Sequence, residues 1–466
     1  MILWRYWWDA IWLLRPVFSR LRSFLWFATA VAGLTVRTEL LGVTSIVRGL
    51  ALKPLLYDRL LDHFHSTAVN TEALAALWTR VALKLFPAAV RVNGRLVLVG
   101  DGIKVAKRGK KMPAVKLLHQ QSDSNSKPQY IMGHSLQALS ILMPAGNSVF
   151  AVPLAMRIHE GLIWSNRDKR TLLDKMLALI GILDIRQHFY FVADAYYASG
   201  KIIGSLLEQN QHLVTRMRSN AVAYQPIRRR GPKRRGRPKL YGKKVRLHCL
   251  FSDTAALQSM PSPVYGEKDI TLRYRVCDLM WRPAGRVVRF VLVAHPTRGR
   301  CLLMCTDTQL DAANIIRMYG LRFKIEHTFK QAVNHIGTLA YHFWMQKMKP
   351  LRRRNGNQHL HRETLDYRNL IKRKLNAYHL FIQAGLIAQG LLQYLAAAFP
   401  QMVWQSFGSW LRTIRPGIPP SELVVATALR QRLPEFLLNS PTGSLFEKFI
   451  LDRQDPNKVA LFRAAA

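Results

Sequence analysis

Three carboxylates in the chain have the type and the setting that a divalent-metal site needs. Asp101 follows the apolar run Arg95–Gly100, and Asp194 follows the apolar run His188–Ala193, so each is predicted at the end of a buried strand, where ligands gather in open α/β sheets. Glu326, on a predicted helix, is the third member. Three carboxylates can hold two Mg²⁺ ions, which activate an attacking oxygen and stabilise a leaving oxygen in phosphodiester chemistry. Taken singly, either aspartate is equally well explained as an ordinary loop acid.

The helix predicted over Ala312–Val333 adds basic groups beside the third carboxylate. Residues spaced i, i+3, i+7 and i+11 share a helix face, and this face carries Tyr319, Arg322, Glu326 and Lys330. We expect Arg322 and Lys330 to bind phosphate groups, Arg322 through paired N–H donors, and Tyr319 to hydrogen-bond a phosphate. The simpler alternative is a surface salt bridge between Arg322 and Glu326, which would stabilise the helix only slightly.

The elements that must position these residues alternate as in an α/β domain. In chain order the patterns predict three strands, a helix, a strand, a helix and a strand. Their predicted bounds are Arg95–Gly100, Tyr130–Leu142, Ser148–Arg157, Asn166–Gly181, His188–Ala193, Ala198–Asn210 and His212–Met217. This is also the element order of the RNase H-like fold, so we predict an α/β fold of that class, as the catalytic domain, for residues 91–345.

The rest of the chain is predicted to be helical at both ends and rich in strands where it interrupts this domain. Residues 1–90 carry helix-spaced apolar residues and are interpreted as a helical N-terminal DNA-binding domain. Within them, Ser45–Leu50 and Pro54–His65 fit a helix-turn-helix pair, although a plain helical bundle is favoured. Residues 219–308 are predicted to form an inserted, basic, β-rich subdomain, and residues 346–466 a helical C-terminal domain.

The charge of the chain indicates a polyanionic partner. Lys and Arg number 69 against 27 Asp and Glu, a formal net charge of +42, which favours nucleic acid first and an anionic membrane surface second. Arg228–Arg246 holds eleven Lys and Arg in nineteen residues and no acid. Arg235 and Arg237 within it resemble an AT-hook core, but a nonspecific phosphate-binding loop is favoured. A further basic loop spans Lys347–Arg362. The cluster predicted to guide DNA past the acids follows Asp101 and consists of Lys104, Lys107, Arg108, Lys110 and Lys111.

Several other classes of protein lack their sequence signatures here. The apolar run Phe24–Val36 lies between Arg22 and Arg37 and is shorter than the ~18–20 residues of a membrane-spanning helix, so we predict a buried helix. The chain has no GxxxxGK loop and no GxSxG elbow, which argues against ATP use and a serine hydrolase. Its four cysteines form no CxxC pair, which fits a reducing cytoplasm. Trp281 is predicted to be a packed core residue, the alternative being a platform for a nucleobase.

The helix motif resembles that of bacterial insertion-sequence transposases of the DDE class, which carry a Tyr-Arg-Glu-Lys signature. Tyr319, Arg322 and Glu326 match its first three members in type and spacing. Val333 stands at the lysine position, and Lys330 lies one turn earlier. The segments VGDG and VADAYY, which contain the two aspartates, resemble the family's two aspartate motifs.

This resemblance implies that Asp101, Asp194 and Glu326 are catalytic ligands of two Mg²⁺ ions, for which Mn²⁺ can substitute. It also implies cleavage of DNA at the ends of a mobile element, transfer of the freed 3′-hydroxyl to target DNA, and a homodimer that joins two ends. Such a protein would be cytoplasmic, associated with the nucleoid and without a membrane partner. Two alternatives stay open: an RNase H-like nuclease that cuts DNA without joining it, and a non-enzymatic basic DNA-binding protein.

Overall fold

The computed structural model of the chain describes residues 2–86, 88–120, 128–227, 239–264, 266–408, 413–438 and 444–458, in which a large mixed sheet packs against helices from both ends of the chain. The strands are β1 Arg91–Val92, β2 Arg95–Ala106, β3 Lys116–His119, β4 Tyr130–Ala145, β5 Ser148–Ile158, β6 Leu162–Ile163, β7 Phe189–Ala193, β8 His212–Arg216, β9 Val222–Tyr224, β10 Lys244–Arg246, β11 Gln258–Pro261, β12 Thr271–Trp281, β13 Arg286–His295, β14 Gly299–Cys305 and β15 Gln358–His359. The helices are α1 Ile2–Trp12, α2 Leu21–Val36, α3 Val43–Gly49, α4 Leu56–His65, α5 Thr71–Leu85, α6 Leu172–Ile182, α7 Gly200–Glu208, α8 Ala312–Leu321, α9 Lys324–Gln331, α10 Leu365–Ala398, α11 Pro400–Phe407, α12 Glu422–Leu438 and α13 Leu445–Leu451.

The centre of the sheet follows the predicted element order. β5, β4 and β2 are antiparallel neighbours, and β7 and β8 continue from β2 in parallel, so the order across the sheet is β5-β4-β2-β7-β8. α6 precedes β7 and α7 precedes β8 along the chain. β7 is buried over its whole length, as expected of a central strand with both faces covered. The predicted succession of three strands, helix, strand, helix and strand is therefore confirmed.

The β-rich segment predicted at residues 219–308 forms strands β9 to β14. These strands extend the central sheet instead of forming a sheet of their own, because β14 pairs antiparallel with β8 and is followed by β13, β12, β9 and β10. Trp281, at the end of β12, is 6% exposed, which confirms the prediction of a packed core residue. The predicted strands are thus found, but no break in hydrogen bonding separates an inserted subdomain from the rest of the sheet.

The helices at the two ends of the chain pack into one bundle around α10. α10 contacts α1, α2, α4, α5 and α12, and it also packs on β4 and β5. Trp4 in α1 illustrates the connection, since its indole N–H donates to the carbonyl of Leu429 in α12 at 2.8 Å and its ring stacks on Phe436 at 5.5 Å. α3 and α4, the pair considered as a helix-turn-helix, pack within this bundle. The two helical domains predicted as separate units therefore form a single group of helices.

Among the residues that the structure describes, two helices are apolar enough to raise the question of a membrane. α10 has the length and the composition to cross one, but 89% of its apolar window is buried inside the protein. α2 is buried at every position from Phe24 to Val36. Both are core helices of the bundle, as predicted for the apolar run in α2.

Candidate active site

The two aspartates lie side by side on neighbouring parallel strands. The pairing of β2 with β7 ends with Val99 opposite Val192, and Asp101 and Asp194 each follow two residues later. The sequence predicted Asp101 at the end of its strand. β2 instead continues to Ala106, so Asp101 lies in the middle of it. The structure nevertheless brings two of the three predicted acids together at one place on the sheet.

Backbone contacts orient both aspartate side chains. Asp101 Oδ1 accepts the N–H of Gly102 at 2.8 Å, and Asp194 Oδ1 accepts the N–H of Tyr196 at 3.1 Å. The hydroxyl of Thr215 on β8 donates to the backbone carbonyl of Asp194 at 2.8 Å. The turn that follows β7 is therefore fixed both to itself and to the next strand.

The surroundings make the ionised forms of both aspartates less stable. Burial raises the pKa of Asp101 and that of Asp194, and the charge of Asp194 raises the pKa of Asp101 further. The guanidinium of Arg322 opposes this effect on both residues. Carboxylates that repel each other in a partly dry position attract cations, and such perturbed groups are concentrated at functional sites.

The helix that carries Glu326 is interrupted. The sequence predicts one helix over Ala312–Val333, whereas the structure has α8 and α9 separated at residues 322–323. The chain there keeps right-handed dihedral angles but tightens, because the N–H of Ile325 bonds to the carbonyl of Arg322, only three residues back, at 3.1 Å. This turn has the hydrogen-bond pattern of a 3₁₀-helix, which a sequence pattern of apolar spacing does not reveal.

Arg322 connects the third carboxylate to the first. Its Nη1 donates to Asp101 Oδ2 at 2.7 Å and its Nη2 to Glu326 Oε1 at 2.8 Å. The side chains of Arg322 and Asp101 are 16% and 19% exposed, whereas that of Glu326 is 57% exposed. The salt bridge that was the simpler alternative from sequence is therefore present, and the same guanidinium links Glu326 to Asp101. The ring of Tyr319 lies 5.8 Å from this guanidinium.

The chemistry of this site fits a divalent ion. Within the part of the chain that the structure describes, no group of three or more His, Cys, Asp or Glu side chains is arranged to hold a metal directly. The donors are nevertheless carboxylate oxygens, the ligands that Mg²⁺ prefers. Two of these carboxylates, Asp101 and Glu326, already pair with a cation, the guanidinium of Arg322. Glu326 is exposed enough to change rotamer. The residues that would hold an ion are Asp101, Asp194 and Glu326.

Arg37, which follows α2, holds the far end of the helix that carries Glu326. After α9 the chain forms a π-helix over Ala332–Ile336 and turns at Gly337 with φ 67°. The buried guanidinium of Arg37 donates to the carbonyl of Ile336 and, at 2.9 Å, to that of Gly337. Burial lowers the pKa of Arg37 to about 10, so it stays charged at neutral pH and is favoured at a helix C-terminus. Sequence reasoning missed this contact because its partners lie about 300 residues apart.

Lys107 lies inside the protein, which corrects the prediction that it contacts DNA. It is 6% exposed, and its ammonium donates to the carbonyl of Leu339 and, at 3.2 Å, to that of Tyr341. The same ammonium lies 3.6 Å from the centre of the Tyr341 ring. Burial lowers the pKa of Lys107 to about 7. Lys107 therefore ties the strand of Asp101 to the segment that follows the helix of Glu326.

The other residues predicted to contact DNA have varied surroundings. Lys104 is exposed and its ammonium donates to the carbonyl of His119 at 2.7 Å. Lys111 is half-buried and donates to the carbonyl of Gln346 at 3.0 Å. Arg235 and Arg237 fall outside the described residues. The remaining basic members are exposed, namely Arg108, Lys110 and Lys330, and Tyr319 is half-buried.

Two basic segments that are distant in sequence meet in space. The N–H of Leu351, in the loop Lys347–Arg362, donates to the carbonyl of Lys110 at 2.7 Å. Trp344 is 65% exposed and lies next to Gly109, where an added Cβ would be 2.9 Å from the indole nitrogen. The cluster after β2 and the later basic loop therefore form one basic surface with an exposed tryptophan.

Two arginines near the acids escaped the sequence analysis. Arg216 is the last residue of β8 and Arg218 follows it, and both are exposed. Burial raises the pKa of Asp194, and the charges of Arg322 and Arg218 lower it. Burial also raises the pKa of Tyr319, and the charge of Arg216 lowers it. The sequence could have indicated both arginines, because they stand at the end of a predicted strand. That strand, β8, is parallel to β7, and the carboxyl ends of the two lie at the same edge of the sheet.

Comparison with known proteins gives one family match. Residues 158–342 match the family model described as Transposase DDE domain. The matched segment contains Asp194, Arg322 and Glu326 and begins after Asp101. No curated protein matches the chain.

Among solved structures, the chain is similar to the cryo-electron microscopy structure of a piggyBac transposase synaptic complex with hairpin DNA. The TM-score is 0.36 at 11% sequence identity, over 94% of this chain and 77% of that chain. A TM-score of this size does not establish a shared fold, so the family match alone supports a transposase DDE domain in the part of the chain with two of the acids.

Proposed function

We propose that the chain is a transposase of the DDE class, which cuts DNA at the ends of a mobile element and joins the freed 3′-hydroxyl to target DNA. One observation carries the proposal: Asp101 within β2 and Asp194 directly after β7 lie at corresponding places of two neighbouring parallel strands, and Arg322 links Glu326 to Asp101. Placing the two aspartates together where both are half-buried costs stability, and a binding site for cations explains why they are there. The match of residues 158–342 to a transposase DDE domain supports the same conclusion.

The three acids have a common task in this proposal, which is to hold two Mg²⁺ ions, replaceable by Mn²⁺. Bound ions would supply activation of the attacking oxygen and charge for the leaving oxygen. The side chains around them orient the DNA backbone. Arg322, Arg216 and Arg218 offer charge-assisted donors to phosphate oxygens beside the acids, and Tyr319 supports the guanidinium of Arg322.

The basic surface around Trp344 supports DNA as the partner. The chain carries a formal net charge of +42, and Arg108, Lys110 and Lys347 of this surface are exposed. An aromatic ring among cations suits nucleic acid, since stacking of one base contributes about 1–3 kcal/mol. We propose that the N-terminal helices also contact DNA, because the chain as a whole is strongly basic.

The finer features of the proposal follow from the resemblance to bacterial insertion-sequence transposases. Lys330 has the role that the signature gives to a lysine seven residues after the glutamate, because Val333 stands at that position here. The active assembly is a homodimer on DNA, since two ends must be joined. The protein acts in the cytoplasm at the nucleoid.

The decisive experiment removes one acid at a time. Asp101→Asn, Asp194→Asn and Glu326→Gln are each expected to lower the rate of Mg²⁺-dependent cleavage of duplexes from the DNA that flanks the coding sequence. The loss should exceed about 100-fold, because groups that merely orient metal ligands already contribute about 10- to 100-fold. DNA binding, measured by fluorescence anisotropy, should be retained. Glu39→Gln is the matched control, since this acid pairs with Arg48 on the exposed surface and should cut like the parent.

Three other outcomes would overturn part or all of the proposal. If Glu326→Gln cuts as fast as the parent, the assignment of the third acid is wrong. If pre-cut ends are never joined to a target plasmid although cleavage depends on the acids, the protein is an RNase H-like nuclease without strand transfer. If neither Mg²⁺ nor Mn²⁺ supports any hydrolysis while DNA binding is intact, it is a basic DNA-binding protein whose acids are structural.

A further inference from the structure

The guanidinium of Arg322 occupies the place between two carboxylates that a divalent ion would need. It donates to Asp101 at 2.7 Å and to Glu326 at 2.8 Å, and its side chain is only 16% exposed. No three acidic or metal-binding side chains of the described segments are ready to hold an ion. The arginine thus acts as the counter-ion of these acids in the protein without DNA.

Electrostatics makes the arginine and a divalent ion competitors. An ion on the same oxygens would lie within a few ångströms of the guanidinium, and repulsion between cations is strong where water is partly excluded. Both hydrogen bonds of Arg322 would also have to break, which leaves a half-buried cation without its partners. Asp101 and Glu326 can therefore accept an ion together only when Arg322 moves away.

DNA offers Arg322 another partner of the same geometry. A guanidinium binds a phosphate through two N–H groups as it binds a carboxylate. Arg322 also lies at the tightened turn between α8 and α9, at the boundary of two helices. Arg216, Arg218 and Lys330 are exposed, the two arginines close to the site and the lysine one turn after Glu326, so a DNA backbone would be attracted to this place.

We propose that Arg322 makes the binding of divalent metal depend on DNA. In the free protein it pairs with Asp101 and Glu326, and on DNA it exchanges both carboxylates for a phosphate and releases them to the ions. This inference rests on the proposed function. Because coupling between two ligands is reciprocal, metal must strengthen DNA binding by the same factor. The site would then be loaded only where a DNA strand is already in position.

The test measures metal binding itself. Mn²⁺ is titrated into the full-length chain alone and with a short duplex from the DNA next to the coding sequence, and free Mn²⁺ is read by electron paramagnetic resonance. For the parent we expect the duplex to tighten Mn²⁺ binding by about tenfold, inside the roughly 5- to 150-fold range typical of coupled sites. The variant Arg322→Gln should bind Mn²⁺ without DNA about as tightly as the parent does with DNA, and the duplex should add little.

Three comparisons make this result specific. The double variant Asp101→Asn with Glu326→Gln gives the background of Mn²⁺ held by DNA phosphates and by the rest of the chain. Arg317→Gln removes an exposed arginine of the same helix α8 and should keep the parent's dependence on DNA. Arg322→Lys keeps the charge but lacks the rigid planar fork that holds both carboxylates in one geometry, so it should bind Mn²⁺ alone more tightly than the parent and less tightly than Arg322→Gln.

The outcomes separate this inference from the function on which it rests. If Mn²⁺ binds the parent above background with equal strength with and without DNA, the inference is wrong and the metal site stands. If Arg322→Gln folds, as judged by its melting temperature, and still needs DNA to bind Mn²⁺, the inference is also wrong. If no variant exceeds the double-variant background under any condition, the metal site and the proposed function fail together.

Discussion

At the residue before Asp101 there is no room for a side chain. A Cβ on Gly100 would lie 2.5 Å from the ring of Phe191, which is fully buried and cannot yield. We therefore expect Gly100→Ala to lower the free energy of unfolding by about 1–3 kcal/mol, the usual cost of overpacking. Urea denaturation would show this. Gly102→Ala is the control, because the nearest atom to its Cβ is the Leu136 carbonyl at 3.5 Å, and an unchanged midpoint for both variants would contradict the geometry.

Lys107 should make the stability of the protein depend on pH. Burial lowers the pKa of Lys107 to about 7, so between that pH and the pKa of about 10.4 that lysine has in unfolded chains the unfolded state binds more protons. The free energy of unfolding should then rise with pH across this window, and the contribution should be lowest below about pH 7, where both states are protonated. Denaturation of the parent and of Lys107→Met at pH 7, 8 and 9 isolates the effect, since the variant should lack this rise.

Residue types could be predicted from the sequence, and their partners could not. The two aspartates were identified because each follows an apolar run, and Glu326 because of its helix signature. Arg37 and Lys107 satisfy backbone carbonyls more than 200 residues away, and no periodic pattern encodes such contacts. For this reason Lys107 was assigned to a DNA-facing cluster although it is buried.

The C-terminal end of the helix that carries Glu326 depends on Arg37. Arg37→Met would leave the carbonyl of Ile336 without its buried donor, whereas that of Gly337 would keep the N–H of Ala340. One unsatisfied buried group costs about 1–3 kcal/mol. We expect faster amide hydrogen exchange over residues 324–341, with the sheet unchanged. Arg48→Met removes an exposed arginine of the same bundle and should leave this segment protected. Uniform loss of protection in Arg37→Met would instead indicate a general structural role.

Elements were predicted well where the apolar pattern is regular and poorly where it changes. β2 was predicted to end at Gly100 because the continuous apolar run ends there, but the chain stays paired with β4 up to Ala106 with alternating exposed and half-buried residues. The break at residues 322–323 contains neither Pro nor Gly, and the nearby Gly320 is still part of α8. Both features bear directly on the site, since they determine where Asp101 and Arg322 stand.

The bundle and the sheet should unfold together. Trp78 in α5 is fully buried, its indole N–H donates to the Pro153 carbonyl in β5 at 2.8 Å, and its ring leaves no room for a Cβ at Gly390 in α10. Trp78→Ala should therefore cost about 3–5 kcal/mol and lower the melting of the whole chain. Differential scanning calorimetry should show a shifted transition, whereas a new separate transition for the helices would contradict one cooperative unit. Trp344→Ala, at a position 65% exposed, should change stability by no more than about 0.5 kcal/mol.

The prediction of three consecutive domains rests on local patterns, whereas several contacts in the structure join parts of the chain that are distant in sequence. Helices from the first and the last hundred residues share one core through contacts such as that of Trp4 with Leu429. The predicted insertion joins the sheet through β14 and β8. Local patterns identified most of the central elements and carried no information about which faces would meet.

The π-helix after α9 limits which side chains can be accommodated at residue 333. Seven residues make nearly two turns of an α-helix, so a lysine at that position would ordinarily point the same way as Glu326. Here residue 333 belongs to the widened turn over Ala332–Ile336, and Val333 packs, partly buried, against the hydrophobic core. Val333→Lys would place an ammonium group against these apolar side chains, so a lysine seven residues after Glu326 does not fit the packing of this helix end.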